Sequence, residues 1–461
     1  MFDPININRR DFLRAVTSGA LGASFIVEEI TANSQNKSGA AKPISPSAKP
    51  AQTPAAPPKP PVTCAVIGLG PWGREILASL AKMGPEAQVR SICDTYQGAA
   101  FLAKSQKIYP RAAVASDYRT VLDDKSIKAV FIATPTHRHK QVALDAIQAG
   151  KHVYCEAPLS HDLDEAKTIA QAGMAAKTIF QPGLQVRCSA QAEHVYHFIL
   201  AAVLGNTVGG RAQWHKQTNW RQSGGNPTDK DWRLKRATSS GLLGEVGIHQ
   251  MDTATWYFRK MPVSVTAFGS IMQYTDDGRD VADNVQAVVE YPDGMHYAYD
   301  ASLTTSFDDA YELFFGTDAT IMLRDQRGWM FKEAGSSQLG WEVFARKDVM
   351  QIGSWQKNGP GINIGAGIAL VADATKQAAL GKTDLVNDVS KTSIFQAATV
   401  FLDSIRAGKR VPVKEPSKEN QHPPLAPDAL DGYRATVVAV KANESSLTGN
   451  KIVFQKEWFE L

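Results

Sequence analysis

Cysteine is scarce in this chain of 461 residues: there are four, Cys64, Cys93, Cys155 and Cys188. None stands in a C-x-x-C pair or beside a histidine cluster, so zinc is not expected and no metal site is assigned. Three of the four fall at or near the ends of apolar, strand-like runs, where a thiol serves as a small core residue; disulfides are the alternative. Long hydrophobic runs are absent too. The weakly apolar N-terminal stretch Ala15 to Val27 has thirteen residues, too few to span a bilayer comfortably. No basic block and no basic–aromatic interleaving occurs, which argues against nucleic acid as a partner. The net charge is only +4, and the first 62 residues hold seven Lys and Arg against four Asp and Glu, so the rest is close to neutral. What remains, 43% hydrophobic and 21% charged, is a globular composition whose length suits two domains plus a tail.

The tail comes first. Arg9 and Arg10, then Phe12, Leu13 and a run rich in Gly, Ala and Ser, resemble a twin-arginine export signal over residues 1–33. A short amphipathic surface helix with a chance Arg pair is the alternative, and no A-x-A cleavage site is evident. Residues 43–61 hold eight of the 24 prolines, so 34–62 reads as an extended, solvated linker. The expectation is a bacterial protein placed in the periplasm or otherwise exported through the twin-arginine machinery. That route carries folded proteins, so no disulfide framework is required.

From 63 to 182 short apolar runs (CAVIG, QVRSIC, AVFIAT, HVYCE, TIFQP) alternate with amphipathic helical stretches, the signature of βα units around a parallel sheet. Gly68, Gly70 and Gly73, with Pro71 and Trp72 between them, lie between the first strand and its helix. There they allow a tight turn, close approach of backbone to a pyrophosphate, and close helix packing. Asp94 ends the next strand, 21 residues after Gly73, where a carboxylate accepts from ribose hydroxyls and repels a 2′-phosphate. Thr95 and Tyr96 supply no arginine, so NAD is favoured over NADP; a strand-end turn residue is the other reading of Asp94.

After Leu204 the period changes. The runs at 263–274, 284–291, 295–303, 311–316 and 320–324 alternate or carry β-formers, and YPDGM at 291–295 reads as a hairpin turn. A helix near Ile394 to Ala407 is expected to return to the first domain.

The segment FIATPTHRHKQVALDAIQAGKHVYCEAPLS at 131–160, with VFQKEW at 453–458, resembles the Gfo/Idh/MocA oxidoreductase family, and the similarity extends over nearly all of 62–461. The resemblance runs through Thr134, Pro135, His139, Gly150, Lys151, His152, Val153, Glu156 and Pro158. It implies an α/β protein: an N-terminal Rossmann domain (63–182), then an α/β domain (183–461) on a large, open-faced, mostly antiparallel sheet. It also implies NAD(P)-dependent chemistry on sugars, polyols and their derivatives, in a family with glucose-fructose oxidoreductase-like and NAD-dependent glycosidase-like members. Cofactor contacts are implied at Thr134, Pro135, His139, Glu156, Pro158 and Gln185. One departure matters: the Lys of the family's E-K-P, which assists proton transfer from the substrate hydroxyl, is Ala157 here.

The segment 241–258 resembles the family's second catalytic motif, with Glu245 and His249 in the positions of its Asp and His. Spacing of four predicts one helical face, continued by Asp252 and Trp256. His249 is the candidate base for a hydroxyl proton, a buried structural histidine being the alternative. A second cluster, QWHKQTNWRQ at 213–222 and DWR at 231–233, offers flat rings and donors suited to carbohydrate. Candidate substrate residues are His215, Trp220, Arg221, Trp232, Arg233 and Asp252, together with Arg187 in GLQVR. Lys216 or His215 is a candidate replacement for the missing Lys, and an exposed strand end with aromatic packing is the competing reading.

An exported NAD enzyme has no soluble NADH pool, so each cycle is expected to return the bound cofactor to its starting state. Sugar-to-sugar oxidoreduction, epimerisation and redox-assisted glycoside cleavage satisfy that condition. A carbohydrate-binding relative without turnover is the competing class. A broad open sheet face makes a homo-oligomer the expected assembly.

Overall fold

The computed structural model describes residues 59–94, 99–221, 231–324, 327–338, 347–352, 362–370, 392–413 and 425–461. The export-signal reading, the linker as far as residue 58, Thr95 and Tyr96 lie outside them. The first domain is a parallel sheet of β1 (Val62–Ile67), β2 (Ala87–Cys93), β3 (Ala113–Ala115), β4 (Ala129–Ile132), β5 (His152–Cys155) and β6 (Phe180–Pro182). Their order is β3-β2-β1-β4-β5-β6, which reverses direction at β1 and β4 and places a crevice at the strands' C-terminal ends. β4 is buried at every residue, as a strand covered on both faces must be.

Helix α1 (Pro71–Lys82) starts with Pro at its first position, where the missing N–H costs nothing, and buries Gly73, Ile76, Leu77 and Leu80 at helical spacing. The remaining helices of this domain are α2 (Ala99–Ile108), α3 (Tyr118–Asp123), α4 (His139–Gln148) and α5 (Leu163–Ala175). α6 (Ala190–Leu200) leads out of the domain.

The second sheet joins β7 (Thr207–His215), β8 (Ser264–Ser270), β9 (Asn284–Glu290), β10 (His296–Ser302), β11 (Ala310–Gly316), β12 (Ala319–Arg324), β13 (Arg327–Lys332), β14 (Lys347–Ile352), β15 (Ile362–Ala369) and β16 (Ile452–Val453). It is antiparallel except where β7 and β10 run parallel in its middle. The runs that alternate in the sequence became β8 to β12, whereas β13 to β15 extend the sheet beyond the strands expected from it.

Helices α7 (Gly241–Glu245), α8 (Gly247–Phe258) and α10 (Ala429–Thr448) cover one face of this sheet. The other face bears Phe268 and Val288, 64% and 41% exposed. The helix expected near Ile394 to Ala407 is α9 (Ser393–Ala407), and Phe401 on it packs edge-on to Phe131, 5.3 Å between ring centres, inside the first domain's core.

The core under α8 is not wholly apolar. Glu312 and Tyr299 flank Ala212 in register, all facing the helices. Glu312 Oε2, the Tyr297 and Tyr299 hydroxyls and Gln250 Oε1 are buried and find no hydrogen-bond partner among the described residues. Burial, with the Asp252 carboxylate nearby, pushes Glu312 up to about 8. The folded state therefore binds a proton that the unfolded state releases above about 4.5, so this group's contribution is lost as pH rises towards 8. Glu312→Gln is expected to match wild type near pH 5. At pH 9 it should be more stable by on the order of a few kcal/mol, because only the wild type must then hold an ionised carboxylate in the core. Denaturant midpoints across this range check it.

Candidate active site

The glycine turn sets the cofactor side. Gly68 has φ +97°, and a β-carbon there would sit 2.4 Å from the Ala133 carbonyl oxygen; one on Gly73 would meet the Gly68 carbonyl at 1.9 Å. A β-carbon on Gly70 would meet nothing within 4 Å, so open space lies at the N-terminus of α1, where no side chain caps the first-turn N–H groups. That is the cradle a pyrophosphate requires. The Leu69 N–H donates to Asp94 Oδ2 at 2.6 Å, fixing the carboxylate at the end of β2. Burial raises Asp94 to about 6, against the opposing pull of the Leu69 N–H and Arg74. These residues fit the adenosine half of NAD. Its affinity should fall as pH drops through about 6 and the Asp94 acceptor is lost; fluorescence titration of NAD from pH 5 to 8 checks this.

Thr134, Pro135, Glu156, Pro158 and Gln185 follow the ends of β4, β5 and β6. His139 holds two of these loops together: its Nδ1 lies 3.0 Å from the Pro158 carbonyl and its Nε2 2.9 Å from that of Thr134. Burial depresses its pKa, so the ring is neutral and donates to one carbonyl at a time. The expected cofactor ligand is thereby occupied with backbone. Burial pushes Glu156 up to about 8, opposed by the Trp72 side chain, the Ala157 N–H and Tyr154, so at neutral pH it is mostly a protonated acid. Gln185 is 7% exposed, and neither Thr134 Oγ1 nor Gln185 Oε1 has a hydrogen-bond partner among the described residues.

The two domains meet at Glu245. The Thr136 hydroxyl donates to its Oε2 at 3.0 Å from the cofactor loop, while the Ser239 hydroxyl and Ser240 N–H each reach Oε1 at 3.2 Å. Arg233 Nε is 3.9 Å from Oε2, and the guanidinium lies 4.4 Å from the Trp232 ring centre and 5.8 Å from that of Trp220. His137 faces Trp232 at 6.2 Å. Glu245, Trp220, Trp232 and Arg233 are therefore brought together.

His249 stands one turn on, but not on a continuous helix. Val246, at φ −121° and ψ −51°, breaks α7 from α8, so the expectation of a single helical face for Glu245 and His249 is corrected. His249 Nδ1 is buried without a hydrogen-bond partner among the described residues, and burial lowers its pKa to about 4. The ring is neutral at pH 7 and able to accept a proton.

The remaining candidates are not bonded to Glu245 or His249 among the described residues. His215 is a candidate substrate residue and a candidate replacement for the missing Lys. Strand alternation puts it on the sheet face opposite the helices, where Nε2 bonds Asp300 and Nδ1 lies 3.0 Å from the Phe307 carbonyl. Lys216 is exposed, with its backbone N–H donating to Ser302 at 3.0 Å. Arg221, 52% exposed in its side chain, is 4.0 Å from Asp277. Arg187 and Asp252 are engaged with each other: Nε to Oδ2 and Nη2 to Oδ1 are both 2.8 Å, and Nη1 reaches Asp431 at 3.2 Å.

Sequence reasoning missed Thr136, His137 and Ser239, as well as the loop carrying Tyr274, Asp277 and Arg279. Arg279 makes a two-nitrogen pair with Asp277 and donates to the Asn219 carbonyl at 2.6 Å, two residues before Arg221. The polar run Thr136–His139 beside the cofactor loop was the available signal for the first two.

Two family models match the chain: an oxidoreductase-family NAD-binding Rossmann fold over residues 62–184 and a GFO/IDH/MocA C-terminal domain over 194–322. A levoglucosan dehydrogenase of Pseudarthrobacter phenanthrenivorans is 29% identical over 142 residues, 31% of this chain and about a third (35%) of that protein. The scyllo-inositol 2-dehydrogenase (NAD+) of Bacillus subtilis is 26% identical over 60% of this chain and 78% of its own. An alpha-N-acetylgalactosaminidase of Shewanella oneidensis is 26% identical over 50% of each chain. A solved levoglucosan dehydrogenase–NADH complex superposes with a TM-score of 0.63 at 18% identity, covering 86% of this chain and 100% of that one, which establishes the shared fold. With the glycine cradle, Asp94 and the second sheet all in place, the chain belongs to the Gfo/Idh/MocA oxidoreductase family, and its Rossmann domain is built for NAD.

Proposed function

We propose that this chain is an exported NAD-dependent oxidoreductase that acts on a hydroxyl of a sugar or sugar derivative and returns a tightly bound cofactor to its starting state in every cycle. The observation that carries this reading is a neutral His249, its Nδ1 buried, on the segment that Glu245 fastens to the cofactor loop through Thr136. Bound NAD supplies the acceptor, and later the donor, of hydride. His249 takes the hydroxyl proton as the C–H bond breaks. Glu245 holds the loop and Arg233 in place, and Trp220 and Trp232 offer flat faces to a sugar ring. Arg9, Arg10 and the linker composition support export. The exposed Phe268 and Val288 support pairing of the open sheet with a second copy, and Phe268→Lys should shift light-scattering mass towards the monomer.

Ala157 favours a second reading, redox-assisted glycoside cleavage, and so does the likeness to an alpha-N-acetylgalactosaminidase. Here a ring hydroxyl is oxidised to a ketone, which acidifies the neighbouring C–H. A base removes that proton, the aglycone leaves as the C=C forms, water adds across it, and the ketone is reduced again. The net change is hydrolysis with no cofactor consumed.

Aryl glycosides and sugar pairs tested without added NAD, in deuterated water, separate the readings. Release of aglycone with deuterium beside the former ketone supports cleavage, and exchange of redox state between two sugars supports the first. A protein that binds sugar and turns over neither is a carbohydrate-binding relative. Lys216→Ala tests whether Lys216 stands in for the absent Lys: a large loss of turnover is expected, and wild-type turnover would remove it from the mechanism.

A further inference from the structure

We propose that the cleft between α8, α6 and α10 binds a small organic anion of monosaccharide size, a carboxylate or phosphate. Its volume is about 320 Å³, at the small end of pockets that hold small molecules. Its wall carries four cations, Arg187, Arg259, Lys260 and Arg434, against two carboxylates, Asp252 and Asp431. Both carboxylates are already committed to Arg187, whose side chain is 16% exposed, and Lys260 bonds Asp293 at 2.6 Å. Arg434 uses Nε on the Phe459 carbonyl at 3.2 Å.

Arg259 is exposed, and its guanidinium has no ion pair or hydrogen bond among the described residues. It ends α8 at φ +54°, a left-handed position that glycine fills without strain, so the helix terminates on a residue its backbone disfavours. Arg259 and Arg434, without a carboxylate partner among the described residues, over a floor of Trp256 stacked on Tyr196, with ring centres 4.8 Å apart, are chemistry for an anion on a compact organic body. The lining of the cleft includes neither Glu245 nor His249, yet the cleft shares α8 with His249: Asp252 follows His249 by three residues, so an occupant competing for Arg187 would bear on the position of His249.

Calorimetric titration of the full, cofactor-loaded chain with glucuronate and with glucose 6-phosphate tests this. One saturable site per chain is expected for at least one of them, weakened by added salt, and which anion binds distinguishes carboxylate from phosphate. Arg259→Gln should weaken binding at least threefold. With Arg434→Gln added the loss should be at least tenfold, the thermal midpoint reporting any loss of folding, whereas His249→Ala should leave the affinity unchanged. Absence of saturable binding by both anions, undiminished affinity in Arg259→Gln, or loss of binding in His249→Ala would overturn the proposal.

Discussion

Replacing His249 by Ala is expected to reduce turnover by about a hundred- to ten-thousand-fold, the usual worth of a positioned general base, while the protein retains its NAD. The cofactor side of the site is built from Gly68 to Gly73, Asp94 and the loops after β4 and β5, none of which His249 hydrogen-bonds. The variant should also change the pH profile. A base must be unprotonated, and burial holds His249 near 4, so wild-type kcat/KM should stay level down to about pH 4 instead of declining from 6.5. A purely structural histidine would give no such limb, and its loss would lower the thermal midpoint without a selective loss of turnover. Steady-state kinetics from pH 3 to 8 on wild type and variant decide between them.

Asp252→Ala is expected to have the largest effect on stability. Burial disfavours charge on Arg187, but the Asp252 and Asp431 carboxylates more than offset it, so the guanidinium titrates above its ordinary value. The pair is shielded from water, with side chains 16% and 3% exposed, and removing one partner strands the other charge. Such losses cost about 3–5 kcal/mol. The bond also ties three parts of the chain together: the exit from the first domain at Arg187, the helix of His249, and the capping box of α10, in which Asp428 and Asp431 exchange hydrogen bonds at 3.0 Å. Urea midpoints should show the loss. Replacing Arg187 and Asp252 together by Met and Leu should recover much of it, because no unpaired charge then remains between them. If Asp252→Ala left the midpoint unchanged, the clamp would carry no stability.

The nucleotide half was legible because its chemistry is written in short spacings. Gly68, Gly70 and Gly73 act on one turn, and Asp94 is placed by the end of the adjacent strand. The second domain was harder for physical reasons. His215 and Lys216 are neighbours in sequence, but a strand sends successive side chains to opposite faces, and the sequence does not say which face the helices cover. The break at Val246 is invisible to a four-residue spacing argument. Arg187 and Asp252 are 65 residues apart, so each looked like a substrate ligand until folding paired them. Thr136 belonged to a recognisable loop, yet its bond to Glu245 spans 109 residues. The strands β13 to β15 lie beyond the last run that alternated clearly.

The central claim is a resident, self-recycled NAD. The most direct measurement is to denature the purified protein, identify the nucleotide released and count it per chain. Close to one NAD per chain, with turnover of sugars or glycosides needing no added cofactor, is the predicted result. A protein that emerges empty and does not bind added NAD would contradict it.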